Sequence, residues 1–110
     1  MDRINLERVV EELLNRWFEL LNKNDDIRVE KIVDRAAGRY LLFQDGWLGW
    51  RRVYGPAFDI EIRNNKLWIL KDTIEDGIVD ELLSKGVPHD QIVLGWQHPH
   101  KRELSEFAIN

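Results

Sequence analysis

The chain has 110 residues, no cysteine and a formal net charge of −4. This length corresponds to a single domain over residues 1–110, and the lack of cysteine excludes disulfides, zinc–thiolate sites and thiol catalysis. The acidic balance argues against strong direct binding of DNA, which requires a basic surface. The chain has no signal-peptide pattern and no apolar run that could span a membrane, so we expect a cytoplasmic protein.

The first predicted element is a long amphipathic helix over residues 5–22. Apolar residues recur there at steps of three and four, from Leu6 to Leu21, which gives the helix one continuous apolar face. Asn5 is the expected N-cap, and a polar loop ends the helix. An edge strand follows over residues 27–34.

The next predicted strands surround a segment rich in glycine and tryptophan. Residues 40–43 are apolar on both faces, which is typical of a central strand covered on both sides. Residues 50–54 form the following strand, and the glycines of residues 44–49 shape the turn between the two. We expect Trp50 to pack inside the domain and Trp47 to lie in the turn, at the surface.

A further pair of strands is predicted around Asn64-Asn65. Residues 57–62 alternate between apolar and charged side chains, and residues 66–71 are apolar on both faces. Asparagine tolerates positive φ better than most residues, so the Asn-Asn pair suits a two-residue hairpin turn.

A second helix is predicted over residues 72–85, with a capping box formed by Asp72 and Glu75. Gly86 and Pro88 end this helix. A last strand over residues 91–96 and a tail of turn and extended residues follow. The whole pattern predicts an α+β fold with a long N-terminal helix, an antiparallel four-strand meander, a second helix and a further strand.

The search for catalytic chemistry predicts no enzyme. His98-Pro99-His100 has a spacing that can bind metal, but surface histidines beside a proline turn are the more common case. Asp59 and Glu61 share one strand face and suit a metal-dependent nuclease, although a solvated sheet face is favoured. The sequence contains no phosphate-binding glycine loop and no evident serine–histidine–acid set. We therefore predict no catalytic residue and no metal site.

Aromatic residues near arginines are the remaining candidates for a binding surface. By strand alternation, Trp50, Arg52 and Tyr54 share one face. Tryptophan and arginine dominate the energetics of protein interfaces, but tryptophans also fill cores. We expect Trp47 and Arg52 to be presented to a partner, while core packing and partner binding are both open for Trp68.

An ordered set of short motifs, with near-constant spacing, runs from about residue 30 to the end of the chain. The motifs are Tyr40-Leu41-Leu42, Gly46-Trp47-x-Gly49, Arg52-Val53-Tyr54-Gly55, Ile60-x-Ile62, Lys66-Leu67-Trp68-Ile69, Asp72, Glu75-Asp76-Gly77-Ile78, Glu81-Leu82, Gly86-Val87-Pro88, Asp90-x-Ile92-Val93-Leu94, Arg102 and Glu106-Phe107-Ala108. This order resembles the XisI family, the fdxN-element excision controlling factors. With Arg102 from this set, the candidate partner-binding residues are Trp47, Trp50, Arg52, Tyr54, Trp68 and Arg102.

The resemblance implies an accessory protein of heterocyst-forming cyanobacteria that acts with its companion XisH. Together they are needed for a site-specific recombinase to excise a DNA element. XisH looks like a member of the restriction-endonuclease-like fold, and the XisI family has no recognised catalytic residues and implies no cofactor. Asp59 and Tyr54 stand where histidine is common in the family, which weakens any histidine chemistry shared by all members.

Three functional hypotheses follow from these observations. The first is a non-enzymatic regulatory subunit that binds an XisH-like partner through Trp47 and Arg52, and so contacts the recombinase only indirectly. The second is a DNA-binding accessory factor of the recombinase, and the third is a metal-dependent nuclease that uses Asp59, Glu61 and a lysine. Because two helices cannot cover both faces of a five-strand sheet, we also expect a homodimer, or a heteromer with XisH, that buries Trp68 or Trp47.

Overall fold

The computed structural model describes residues 1–110 and is organised around one five-stranded sheet. Its elements are α1 (Arg3–Leu21), β1 (Ile27–Asp34), β2 (Arg39–Leu48), β3 (Arg51–Arg63), β4 (Lys66–Asp72), α2 (Val79–Ser84), a 3₁₀ turn (His89–Gln91), β5 (Ile92–Val93) and α3 (Pro99–Arg102). The strand order is β1-β2-β3-β4-β5. The first four strands pair antiparallel and β5 pairs parallel to β4. The predicted α+β fold with a four-strand meander is confirmed.

Helix α1 packs its apolar side chains on one face of the sheet, which we call the covered face. Leu6, Val9 and Leu13 are fully buried there among residues of the central strands. The helix begins earlier than predicted, because the Asp2 carboxylate accepts a hydrogen bond from the Asn5 N–H at 2.9 Å. Asn5 therefore lies inside the first turn, and the prediction that it is the N-cap was wrong.

One long strand replaces the two that were predicted over residues 50–54 and 57–62. Strand β3 continues past Pro56 because the pairing with β2 skips Ala57, which forms a β-bulge. A bulge admits an extra residue and a local bend while the strand as a whole continues.

The turns differ in how well they follow the sequence pattern. Asn64 and Asn65 have φ values of 52° and 59°, so the predicted two-residue turn is confirmed. The turn between β2 and β3 is shorter than predicted: Leu48 pairs with Arg51, which leaves only Gly49 and Trp50 in the turn. Gly46 lies inside β2 instead of shaping the reversal.

The second helix is shorter than the predicted range of residues 72–85. Residues 73–78 form a loop that the Asp72 carboxylate holds, by accepting hydrogen bonds from the N–H groups of Ile74 (3.1 Å) and Ile78 (2.8 Å). These two bonds replace the predicted capping box with Glu75. Gly86, with a φ of +95°, follows α2 as predicted.

The last strand is also shorter than the predicted residues 91–96. After Leu94 the chain turns, with the Gly95 N–H bonded to the Val93 carbonyl oxygen and the Trp96 N–H bonded to that of Ile69. The tail forms α3 and returns to the sheet, where Ala108 makes a parallel bridge to Val93.

The second face of the sheet carries no long helix, and we call it the open face. By strand alternation it presents Leu41 and Phe43 from β2, both only half-buried, whereas Tyr40 and Leu42 on the covered face are fully buried. The prediction that residues 40–43 are covered on both sides was therefore wrong, because α1 and α2 pack on one face. None of the helices combines the length and the hydropathy that a membrane span requires.

Candidate functional site

The end of the β2–β3 hairpin extends beyond its neighbouring strands. The β4 pairing with β3 stops at Phe58, and the β1 pairing with β2 stops at Gly46. We call residues 44–55 the hairpin arm. Its side chains have few neighbours because no third strand flanks the tip, so aromatic residues placed here stay at the surface.

Three residues of the arm form a stacked group on the open face. The guanidinium carbon of Arg52 lies 5.3 Å from the ring centroid of Trp47 and 5.0 Å from that of Tyr54. Trp47 and Arg52 are direct cross-strand partners, so the strand register itself brings the two side chains together. We call Trp47, Arg52 and Tyr54, with their supports Phe43 and Asp45, the arginine–aromatic cluster.

The two supports fix the orientation of this cluster. Asp45 forms an ion pair with Arg52 at 2.7 Å, and Arg52 also donates a hydrogen bond to the Gly46 carbonyl oxygen at 3.0 Å. The Tyr54 ring meets Phe43 edge to face, with centroids 5.0 Å apart. Each such contact is worth roughly 0.5–1 kcal/mol at an exposed site.

The cluster is ordered but remains accessible. Trp47 is 51% exposed and Tyr54 is 66% exposed. A guanidinium that is already bound by a carboxylate and stacked between two rings loses little side-chain entropy when a partner covers it. The arrangement can therefore bind a protein surface without first reorganising.

Trp50 lies at the tip of the arm and is 100% exposed. The expectation that it packs inside the domain was wrong. It was assigned to a strand, but the Leu48–Arg51 pair places it in the turn. It therefore does not share a strand face with Arg52 and Tyr54 as predicted.

Trp68 and Arg102 belong to a second group, at the other end of the open face. The Trp68 ring is half-buried, with the guanidinium carbons of Arg63 and Arg102 at 4.1 and 5.2 Å from its centroid. Trp68 pairs with Glu61 of β3, and Glu61 pairs with Arg39 of β2. Arg39 lies eight residues before Trp47 along β2. This is a separation of roughly 25 Å along the strand. The six predicted residues therefore do not form one surface.

Asp59 and Glu61, the predicted pair of solvated carboxylates, both have arginine partners. Asp59 is only 7% exposed and accepts hydrogen bonds from Arg39 Nε at 2.8 Å and Nη2 at 2.7 Å. The hydrogen bond with Asp59 raises the pKa of Arg39 above its usual value. Glu61 is paired with Arg63. The prediction that both carboxylates are solvated was wrong for Asp59, because its position diagonal to Arg39 was not visible before the register was known.

The histidines of the tail are engaged with their own backbone. His98 Nδ1 accepts a hydrogen bond from the His100 N–H at 3.2 Å, at the start of α3, and the two rings stack. The chain contains no group of three or more histidine, aspartate or glutamate residues that could hold a metal ion.

Four arginines on the open face form ion pairs, whereas Arg102 forms none and leaves its Nε and Nη1 without a hydrogen-bond partner. Arg28 pairs with Glu30, Arg39 with Asp59, Arg52 with Asp45 and Arg63 with Glu61. A face on which most arginines are matched by carboxylates offers little net attraction to a phosphate backbone. Sequence reasoning missed Phe43, Asp45 and Arg63 as supports, and their only signal was a position opposite or diagonal to the aromatic residues.

Comparison with known proteins adds the following findings. Residues 1–109 match a family model described as "XisI protein". A XisI-like protein from Anabaena variabilis ATCC 29413 has a similar crystal structure, with a TM-score of 0.88 and 27% identity over 97% of this chain and 98% of that one. The fdxN element excision controlling factor XisI from the same organism gives a TM-score of 0.82 and 35% identity, over 97% of each chain. No curated protein has a matching sequence.

Proposed function

The chain belongs to the XisI family, and from this premise we propose that it is a non-enzymatic accessory protein that controls DNA excision by binding an XisH-like partner. The protein surface for that partner is the arginine–aromatic cluster. One solved relative is named an fdxN element excision controlling factor, which supports the role in excision. The partner and the non-enzymatic mode of action are our own extension of that name.

The observation that carries the proposal is the exposure of Trp47 and Tyr54 on either side of a fixed arginine. Exposed tryptophan, tyrosine and arginine side chains are the types that contribute most to protein–protein affinity. The cluster lies on a sheet face that no long helix covers, so a partner can approach it directly.

The experiment is a binding measurement between this protein and the XisH-like protein of the same organism. We expect the wild-type chain to form a stable complex, and we expect the double variant Trp47→Ala/Tyr54→Ala to bind at least about tenfold more weakly. Trp96→Ala is the matched control, because Trp96 is also an exposed tryptophan but lies outside the cluster. Circular dichroism establishes that each variant is folded.

Two results would contradict the proposal. The first is the absence of any complex with the XisH-like protein. The second is a complex whose affinity falls no more for the cluster variant than for Trp96→Ala, which would place the binding surface elsewhere.

The rival functions make different predictions in simple assays. A DNA-binding accessory factor requires an affinity for DNA that falls steeply with salt, whereas paired arginines on the open face favour weak binding. A nuclease requires cleavage of DNA with Mg²⁺ or Mn²⁺. Asp59 is poorly placed for that role, because Arg39 already occupies both of its carboxylate oxygens.

A further inference from the structure

The tip of the hairpin arm has a second set of exposed residues on the covered-face side. Leu48 and Arg51 are cross-strand partners there, next to the fully exposed Trp50. Soluble monomers seldom leave a tryptophan completely in water beside an exposed leucine. These tip residues are distinct from Trp47 and Tyr54, which lie on the opposite face of the arm.

A groove runs along the arm from Leu48 and Arg51 near the tip to Pro56 and Thr73 at the base. It has a volume of about 300 Å³, and its apolar lining includes Ile27, Leu48 and Val53. Arg52 and Tyr54 of the arginine–aromatic cluster also line it. Gln44 and Thr73 add an amide and a hydroxyl that can accept a hydrogen bond from an indole N–H. The groove therefore has the size and the chemistry to take a tryptophan side chain.

Opposite charges occupy the two ends of the arm. Arg51 at the tip is exposed and forms no ion pair within the chain. Glu75 and Asp76 are exposed, have no ion pair, and line a neighbouring cavity together with Gln44 and Thr73 of the groove. Lys71 also lines the groove and offsets one of these carboxylates. The base of the arm is thus acidic where the tip is basic.

We infer that two copies of this chain associate through their arms about a two-fold axis. When two arms cross antiparallel, the tip of each lies at the base of the other, so every contact occurs twice. Trp50 of each copy enters the groove of the second copy, and Arg51 of each copy faces Glu75 and Asp76 of the second. The crossing also keeps the two Arg51 residues at opposite ends of the interface, where they do not repel each other.

This dimer goes beyond the proposed function, because it depends on Trp50, Arg51, Glu75 and Asp76, none of which belongs to the arginine–aromatic cluster. Trp47 of the cluster does not line the groove, but Arg52 and Tyr54 line it from the side of the cluster. The two proposals are therefore tested with different variants: Trp50, Arg51, Glu75 and Asp76 for the dimer, and the cluster residues for the XisH-like partner.

The first test measures the mass of the isolated wild-type protein by sedimentation equilibrium over a range of micromolar concentrations. We expect the mass of a dimer, and we expect Trp50→Ala to raise the dissociation constant at least about tenfold. Leu104→Ala, which removes an exposed apolar side chain that lines neither the groove nor the cavities beside Glu75 and Asp76, is the control and should leave the dimer unchanged.

The second test exchanges the charges. Arg51→Glu alone and Glu75→Lys/Asp76→Lys alone should each be monomeric, because like charges then meet at both contacts. An equimolar mixture of the two variants should form a heterodimer, since both contacts are attractive again in the mixed pair. Restored association of this kind does not occur if the substitutions merely damage the fold.

Three results would overturn the inference. The first is a wild-type chain that stays monomeric at high micromolar concentration. The second is a dimer that Trp50→Ala weakens no more than Leu104→Ala does. The third is a failure of the mixed variants to associate. A monomer that nevertheless binds the XisH-like protein would overturn the dimer and leave the proposed function in place.

Discussion

The two faces of the sheet are built from the same strands but differ in what their side chains contact. On the covered face, Leu42, Phe58 and Ile60 are fully buried beneath α1. On the open face, Trp47 and Tyr54 remain largely exposed, and most of the arginines pair with carboxylates. Alternation along each strand thus assigns stability to one face and leaves the other for contacts outside the chain.

This comparison teaches that apolar residues of the two faces should respond differently to substitution. Removing a side chain from the covered face should reduce the free energy of unfolding, whereas the same change on the open face should reduce binding. Each prediction below tests one side of that division, and the expected effect on stability decreases from one to the next.

The largest effect is expected for Phe58→Ala, which removes a fully buried ring from the covered face. The loss of apolar burial and the resulting cavity should cost about 3–5 kcal/mol, measured by urea unfolding. Tyr54→Ala is the control, because its ring is exposed on the open face of the same strand, and it should cost less than about 1 kcal/mol. Equal losses for the two variants would break the comparison.

The ion pair between Arg39 and Asp59 should be the exception on the open face. Arg39→Ala leaves the Asp59 carboxylate without a partner, although the Asp59 side chain is only 10% accessible. The variant should lose about 2–4 kcal/mol of the free energy of unfolding. Asp59→Ala should cost less, about 1–2 kcal/mol, because the Arg39 side chain is 39% accessible and can reach water. Thermal unfolding of both variants tests this order, and the reverse order would contradict it.

Arg52→Ala should have a smaller effect, since all the contacts of Arg52 are at an exposed surface. It removes one ion pair, one hydrogen bond and two ring contacts, which overlap at one exposed side chain and together should stabilise the fold by roughly 1–2 kcal/mol. The emission of Trp47 should shift when the guanidinium over its ring is lost. A loss of stability as large as that of Phe58→Ala would mean that the cluster is part of the folding core.

The smallest effect is expected for Tyr40→Phe on the covered face. The Tyr40 hydroxyl is buried and has no hydrogen-bond partner, so removing it should leave the stability at neutral pH unchanged or slightly higher. Burial raises the pKa of Tyr40 above its usual value. The neutral hydroxyl is therefore favoured in the folded state, and stability is lost as the pH rises above about 10, where tyrosine ionises in the unfolded chain.

The variant should lose less stability than the wild type over that alkaline range. Unfolding curves recorded at neutral and alkaline pH provide the measurement. An identical decline in both proteins would show that the burial of Tyr40 does not contribute to the alkaline sensitivity.

The fold could be predicted from the sequence wherever one local pattern dominated. The 3.6-residue repeat of α1 and the Asn64-Asn65 turn depend on neighbouring residues only, and the structure confirms both. The predicted range of the second helix, residues 72–85, was wrong at its start. The Asp72 carboxylate accepts a hydrogen bond from the N–H of Ile78, six residues later, and this holds the segment as a loop. That contact competes with the helix that the local sequence favours.

The candidate site was harder to predict because it depends on register. Moving the β2–β3 turn to Gly49 and Trp50 places Trp47 opposite Arg52 and exposes Trp50 completely. Likewise, the Arg39–Asp59 pair joins residues that are 20 positions apart. Composition indicated which residue types matter, but only the paired strands determine which of them meet.

The sheet order β1-β2-β3-β4 follows the chain, and this order has a consequence for the speed of folding. Each of β2, β3 and β4 pairs with the strand that precedes it in the chain. Only a short loop has to close before each pairing, so little chain entropy is lost before the contacts form. We expect the meander to form on the order of milliseconds. Only β5 pairs across a longer stretch of chain, since it must return past α2 to lie parallel to β4. The slowest step should therefore be the docking of β5 and the tail onto a sheet that is already formed.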